Sequence, residues 1–126
     1  MKNILSCCIL FLGLTASAQV AAYNNVKLFE QSVSGGKEKT KLVSGTLNFD
    51  PNHKNVIFVV KESVRRTFPY QSIFALDYYM SKHILRIQYK NSTGKPDYVD
   101  FDLPGDHRAE LLKQLQAQTG IAVRLT

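Results

Sequence analysis

The residues with the clearest chemical potential are six basic side chains between positions 37 and 66. Three lysines recur at every second position, and a lysine and two adjacent arginines follow after a predicted turn: Lys37, Lys39, Lys41, Lys61, Arg65 and Arg66. Clustered basic side chains attract anionic groups through a long-range field, without defining which anion is bound. We therefore predict a candidate basic binding surface formed by these six residues.

Basic residues close to a strand edge also have a purely structural explanation. Charged side chains, lysine above all, prevent the edge of one sheet from pairing with the edge of another. Salt distinguishes the two explanations, because added ions weaken the attraction between exposed charges. If the surface is functional, reversing the charges of Lys39 and Arg66 is expected to weaken the binding of anionic vesicles or polymers.

Catalytic and metal-binding patterns find little support in the sequence. The three histidines fall in separate predicted elements, without the spacing of metal ligands: His53, His83 and His107. No nucleophile-elbow pattern surrounds a serine. A calcium loop beginning at Asp100 fails, because Pro104 and Leu111 stand where oxygen ligands are needed. The sequence therefore predicts no catalytic, cofactor-binding or metal site, and an enzyme of unknown class is the least favoured hypothesis.

The first eighteen residues have the three-part layout of a cleavable signal peptide. Lys2 precedes an apolar run over residues 4–14, and small residues at positions 16–18 precede Gln19. The run is too short to span a bilayer, which takes about 20 apolar residues. We predict cleavage after Ala18 and a periplasmic or secreted protein, with a short leader at residues 19–25 and a single domain at residues 26–126.

Export and charge together bound the partners that the sequence predicts. Both cysteines lie in the predicted signal, so no disulfide is expected in the remainder. Loss of Lys2 lowers the formal net charge from +6 to +5. Nucleic acid is not expected outside the cytoplasm, and no zinc-finger spacing or arginine-rich helix is present. An envelope protein or an anionic surface of the cell envelope is the expected partner, with no transmembrane segment after cleavage.

Apolar residues at every second position predict seven strands between residues 26 and 103. This period is typical of half-buried antiparallel strands. In the fifth strand, residues 72–80, the alternation predicts that Phe74 and Leu76 point inward and Asp77 points outward. In the hairpin that follows, symmetry about Thr93 and Gly94 predicts Arg86 opposite Asp102, and residue 88 opposite residue 100.

After residue 103 the apolar period changes to that of an amphipathic helix. Leu111, Leu112 and Leu115 recur at helical spacing between residues 106 and 119. Asp106 is a suitable N-cap, and Gly120 stands where a left-handed C-cap is expected. The sequence thus predicts a mainly β fold, α+β by content, in which seven antiparallel strands form an open barrel or sandwich closed by one C-terminal helix.

This element order resembles the pleckstrin-homology-like (PH-like) superfold. Residues 44–50 are similar to the second strand of that family, and residues 68–73 resemble the turn into the fifth strand of bacterial PH-like and GRAM-like domains. The resemblance covers residues 26–125. It implies a binding or scaffolding domain and a headgroup site in the loop between the first two strands, where Lys37, Lys39 and Lys41 lie. An exported protein would not normally meet phosphoinositides, so that site is not carried over.

Two functional hypotheses remain open from the sequence. The first is an exported, non-enzymatic binding module that acts through its loops or an open edge strand. The second is a small β-barrel that carries an apolar ligand. A cavity of about 300 to 1,000 Å³ would indicate the carrier, if it were lined by Phe49, Leu76, Leu85 and Phe101. A filled core with a basic rim would favour the binding module.

Overall fold

The computed structural model describes residues 21–126, excluding the side chains of residues 21 and 32–34. The predicted signal peptide, residues 1–18, lies outside the described residues. The described chain forms eight strands, a 3-10 turn at Tyr70–Ser72 and one α-helix. The strands are β1 (Ala21–Ser34), β2 (Lys37–Asp50), β3 (Asn55–Val60), β4 (Ser63–Pro69), β5 (Ile73–Tyr79), β6 (Ile84–Lys90), β7 (Pro96–Asp102) and β8 (Val123–Leu125), and helix α1 (Arg108–Thr119) lies between β7 and β8.

The strands form one mixed sheet in the order β4-β3-β2-β1-β7-β6-β5-β8. Neighbouring strands pair antiparallel except at the end of the sheet, where β8 runs parallel to β5. Strands β4 and β8 are the two edges, so the sheet is not closed into a barrel. The mainly β class with one helix is therefore confirmed.

Three details differ from the sequence prediction. The sheet has eight strands, because the C-terminal residues 123–125 pair with β5 and add a parallel strand to the expected seven. Strand β1 begins at Ala21, so that residues 21–23 of the predicted leader are paired with β2. A bulge separates the pairs Tyr23 to Leu47 and Val26 to Gly45, and it lets β1 continue in the sheet with its apolar side chains inward.

The core lies between the two halves of the curled sheet. Strands β1, β2 and β3 contribute Leu28, Leu47 and Phe58, and each of these side chains is fully buried. The Phe58 ring lies 5.4 Å from the Phe101 ring of β7, a spacing at which tilted aromatic rings attract each other. The two halves are thus held together by direct packing of aromatic side chains.

Helix α1 closes the core from one end. Leu111 and Leu115 are 1 % and 0 % exposed and belong to the same apolar cluster as Phe101. The helix ends at Gly120, whose φ of 74° is left-handed as predicted. It begins one residue later than predicted, because His107 is the N-cap residue instead of Asp106, and no side chain caps the first turn.

Bulges and turn geometry correct two of the predicted orientations. Phe74 is the extra residue of a β-bulge between the pairs Ile73 to Tyr89 and Ala75 to Gln88, so it points outward and is 46 % exposed. In the β6–β7 hairpin, Arg86 lies opposite Asp100, two residues from the predicted partner Asp102. Gln88 correspondingly lies opposite residue 98.

Candidate binding surface

Strands β1 and β2 extend beyond the rest of the sheet as a two-stranded ribbon. Strand β1 pairs with β7 only at residues 27–29, and β2 pairs with β3 only at residues 46–50. The ribbon turns at Gly35 and Gly36, whose φ angles of 61° and 76° are those of a tight two-residue hairpin turn. We call residues 30–44 the arm.

The arm carries the three predicted lysines on one face. Side chains two residues apart on a strand point to the same side, so Lys37, Lys39 and Lys41 share the face of β2 that carries Leu47 and Phe49 in the core. The three lysines are exposed, and their spacing along the strand is roughly 7 Å per step. The arm therefore extends the inner, core-facing side of the sheet as a basic row.

The other three predicted residues lie on the β3–β4 hairpin. Lys61 is exposed in the turn between the strands, where its φ is 50°. Arg65 is the extra residue of a bulge in β4, and its Nε donates to Glu30 Oε2 at 3.0 Å. Arg66 is half-buried, donates to the Tyr89 hydroxyl at 3.1 Å and lies 5.7 Å from the Phe68 ring. Arg65 thus connects this hairpin to the base of the arm, whereas Arg66 is part of the packing between β4 and β6.

Glu30 is the acidic residue at the base of the arm. Its carboxylate accepts hydrogen bonds from Arg65, and this contact lowers its pKa more than burial raises it. The positive charges of Arg65, Lys41 and Arg66 lower the pKa of Glu30 further. Glu30 is therefore ionised at neutral pH, and it offsets one of the positive charges that converge here. The basic character of the row increases toward the tip of the arm.

A cleft of about 510 Å³ lies between the arm and β7, where β1 and β7 separate. Its walls include Phe29, Gln31 and Tyr98, together with Arg66 and three carboxylates: Glu30, Asp97 and Asp100. A cleft with three acidic side chains and one basic side chain does not extend the basic row. The candidate basic surface is therefore on the arm and does not extend into this cleft.

The outer face of the other half of the sheet carries a row of alternating charges. The register aligns Arg124, Asp77, Arg86 and Asp100 across β8, β5, β6 and β7. Arg86 Nε donates to Asp100 at 2.8 Å, and Arg124 Nε donates to Asp77 at 2.7 Å. The ring of Tyr98 lies 4.1 Å from the Arg86 guanidinium. This row joins the four strands, and no pattern in the sequence indicated it.

Asp77 is the buried member of this row, with 5 % of its surface exposed. Burial raises its pKa, but hydrogen bonds from Arg124 and Gln88 outweigh burial, so the pKa lies below its ordinary value of 3.8. A carboxyl group whose pKa is depressed in the folded state stabilises the fold above its unfolded pKa and loses this effect as the pH falls. The ion pair with Arg124 therefore stabilises the C-terminal strand at neutral pH.

Replacing Arg124 with methionine is expected to lower the melting temperature at pH 7, because the buried carboxylate of Asp77 loses its guanidinium. The difference from the wild type should shrink as the pH falls below 3.8 and disappear once the pH is below the depressed pKa of Asp77 in the folded wild type, where this carboxyl group is protonated in both proteins. Thermal unfolding monitored between pH 2.5 and 7 measures the effect. Lys82→Met, on an exposed turn, is the control and should show no such pH-dependent difference. A constant difference between pH 7 and 2.5 would contradict the assignment.

The three histidines each contact a neighbour of their own. His53 Nδ1 lies 2.6 Å from the Asp50 carboxylate, and His83 Nδ1 lies 3.0 Å from the Tyr78 hydroxyl. His107 lies 3.6 Å from Glu110. Within residues 21–126, no three or more histidine or acidic side chains are arranged to hold a metal ion. The same part of the chain contains no helix long and apolar enough to cross a membrane.

The four residues expected to line an apolar cavity are packed inside the core. All four are 0 % exposed and belong to one apolar cluster with the helix leucines: Phe49, Leu76, Leu85 and Phe101. None of them lines the clefts found among the described residues. The position of Leu111 and Leu115 accounts for this, because these side chains occupy the space that a ligand would need.

Comparisons with known proteins identify the fold and not a family. No protein-family model matches the chain, and no curated protein matches it. Among solved structures, "Structure of the Spt16D Pob3N heterodimer" is similar with a TM-score of 0.59 and 10 % sequence identity. The match covers 86 % of this chain and 55 % of the other chain, so this chain spans little more than half of its neighbour. The likeness supports the PH-like fold expected from the sequence.

Proposed function

We propose that this chain is an exported, non-enzymatic interaction module that binds an anionic partner through the basic face of its arm. The observation that carries the proposal is the alignment of Lys37, Lys39 and Lys41 on one face of a ribbon that extends beyond the sheet. Export rests on the predicted signal peptide at residues 1–18. The PH-like fold is compatible with this role, since it provides a rigid body from which a binding element extends.

The geometry of the arm suits charge recognition. Lysine side chains two residues apart along a strand are separated by roughly 7 Å, which lets several of them contact one anionic partner at once. Their interaction with that partner decays over a Debye length of about 10 Å at 0.1 M salt. Binding should therefore be strong at low ionic strength and weaken steeply when salt is added.

The packing of the core supports a binding module over a carrier of an apolar ligand. A carrier needs an enclosed apolar volume of about 300 Å³ or more. The side chains of Phe49 and Phe101 instead pack in one cluster with Leu115. The binding role is therefore assigned to the outside of the molecule.

Neutralising the arm lysines is expected to weaken the binding of dextran sulfate, an anionic polymer, about tenfold near 0.1 M salt, because each exposed lysine contributes up to about 1 kcal/mol near an anionic surface. The variant is Lys37→Gln, Lys39→Gln and Lys41→Gln combined. The matched control changes three exposed lysines outside the arm and has the same net charge: Lys82→Gln, Lys95→Gln and Lys113→Gln. Arg66 stays unchanged in both, because it packs on Phe68.

Titrations at several salt concentrations measure the effect, and circular dichroism verifies that both variants are folded. The proposal predicts that the arm variant loses both affinity and salt dependence, whereas the control keeps most of each. Equal losses in the two variants would show that net charge alone determines binding. Binding that does not respond to salt would also contradict the proposal.

A further inference from the structure

The arm has a long unpaired strand edge. Over residues 37–44, β2 pairs with β1 on one side, and no strand among the described residues pairs with its other side. Strand β3 ends at Val60, and the turn at Lys61 then leads the chain into β4. Alternate residues along such an edge direct their N–H and C=O groups away from the existing ladder. The space beyond the end of β3 is therefore open to a further strand.

Gly45 marks the point at which this edge begins. A Cβ atom at this position would overlap the Val59 carbonyl oxygen and lie 2.8 Å from the Phe58 ring, so β3 approaches β2 closely there. Strand β3 then ends, whereas β2 continues as the arm. A strand added to the arm would lie in line with β3 and continue the same sheet.

The lysine row determines which strand the edge can accept. Residues directly opposite each other on paired strands have Cβ atoms about 4.5 to 5.5 Å apart, so opposite charges attract and like charges repel. A second copy of the arm, paired antiparallel about Lys39, would place Lys37 opposite Lys41 and Lys39 opposite itself. The edge is therefore protected against a second copy of this chain. A strand with acidic side chains at alternate positions would instead place a negative charge opposite each lysine and be attracted to the edge.

We propose that the β2 edge of the arm binds an extended acidic peptide segment, with aspartate or glutamate at every second position, as an added antiparallel strand. This inference rests on the proposed function and specifies the partner class of the same site. Main-chain hydrogen bonds to residues 37–44 provide affinity, and the acidic residues facing Lys37, Lys39 and Lys41 provide register and specificity. The partner is thus a protein segment and not a free anion.

The direction of the lysine row favours a strand over a flat anionic surface. The row lies on the face of β2 that continues into the core at Leu47, and Arg65 of β4 reaches Glu30 at the base of the arm. A planar surface that approached this inner face would meet the β3–β4 hairpin before it reached Lys41. An extended chain that lies beside β2 meets the lysines without this obstacle.

Three synthetic nine-residue peptides test the inference on the protein without its predicted signal, residues 19–126. In the first, glutamate alternates with threonine and valine. The second has the same composition with its glutamates contiguous, which divides them between the two faces of a strand. The third has the sequence of the first and carries N-methyl groups on alternate backbone nitrogens, which keeps the charge but removes donors for a ladder.

We expect the alternating peptide to bind at least tenfold more tightly than each of the other two. Amide hydrogen exchange should slow at residues 37–44 in its presence. Equal binding of the N-methylated peptide would overturn strand addition, and the proposed function would still stand if dextran sulfate binding depended on the arm lysines. Tighter binding to vesicles containing phosphatidylglycerol than to the alternating peptide would overturn the inference in favour of a membrane surface. If the binding of dextran sulfate also failed to depend on the arm lysines, both this inference and the proposed function would be overturned.

Discussion

Replacing Leu115 with alanine should lower the free energy of unfolding by about 2 to 5 kcal/mol, the cost of removing a large side chain from a packed core. Leu115 is 0 % exposed and lies in the apolar cluster that joins helix α1 to both halves of the sheet. Domains of this size are stable by only about 5 to 15 kcal/mol, so the variant should lose a large share of its stability. Urea denaturation at 25 °C measures the loss.

Leu125→Ala is the control for this variant. Leu125 is 66 % exposed on the edge strand β8, so its truncation should change the free energy of unfolding by less than about 1 kcal/mol. Similar losses for the two variants would mean that α1 does not close the core as described. A new apolar cavity in the Leu115→Ala variant, detected by binding of a small hydrocarbon, would support the description independently.

Replacing Gly45 with alanine should destabilise the protein by about 1 to 3 kcal/mol or more, because an added methyl group overlaps its neighbours. The nearest atom is the Val59 carbonyl oxygen, a main-chain atom that cannot move without distorting β3. The Phe58 ring, the next nearest group, is fully buried in the core. The same substitution should loosen the base of the arm, and thermal unfolding measures the overall effect.

Gly105→Ala provides the matched control. A Cβ atom at Gly105 would lie 3.8 Å from the nearest atom, a nitrogen of the Arg108 side chain, which is ordinary contact. Its backbone is not left-handed, so alanine fits there without strain. We expect a melting temperature within a few degrees of the wild type for Gly105→Ala and a far lower one for Gly45→Ala. Equal melting temperatures would contradict the close approach of β3 to β2.

The alternation of apolar residues explains why the mainly β fold could be predicted from the sequence. Half-buried strands require inward side chains at every second position, and Leu85 and Ile87 illustrate this, since both are fully buried between half-exposed neighbours. The change to helical spacing at Leu111 identified the closing helix for the same reason. These patterns are local, and local patterns can be read without knowing the rest of the structure.

The positions of the β-bulges could not be predicted, because a single extra residue does not visibly change the alternation of apolar residues in the sequence. Phe74 fits the inward pattern of β5 but is the extra residue of a bulge and points to solvent. Turn geometry caused the second error. The β6–β7 loop places Lys90 opposite Pro96, and the resulting register pairs Arg86 with Asp100. A shift of two residues keeps the same faces, so the sequence pattern is compatible with either register.

Asp77 shows that the burial of a side chain cannot always be predicted from the pattern of residues next to it in the sequence. Its position in β5 predicted a solvent-facing side chain, and it does lie on the outer face of the sheet. Strand β8 then pairs in parallel with β5 and brings Arg124 over it from 47 residues away. A contact at this separation has no signal in one sequence, since only the folded chain brings the two residues together.

The candidate site was predicted in part for comparable reasons. The spacing of Lys37, Lys39 and Lys41 defines their shared face as soon as β2 is identified as a strand. The length of the arm depends on where β3 and β7 stop pairing, which the sequence does not indicate. Arg65 and Arg66 are adjacent in sequence, yet Arg65 joins Glu30 and Arg66 joins Tyr89, and the sequence does not indicate either partner.

The most direct test of the proposed binding face is a map of backbone amide shifts in ¹⁵N-labelled protein during titration with dextran sulfate. The account predicts that the largest shifts occur at residues 37–44 and decrease from the tip of the arm toward Gly45. Helix α1 and the cleft beside Tyr98 should change little. Shifts concentrated in that cleft or on the helix, or spread evenly over the surface, would contradict the assignment of the arm as the binding element.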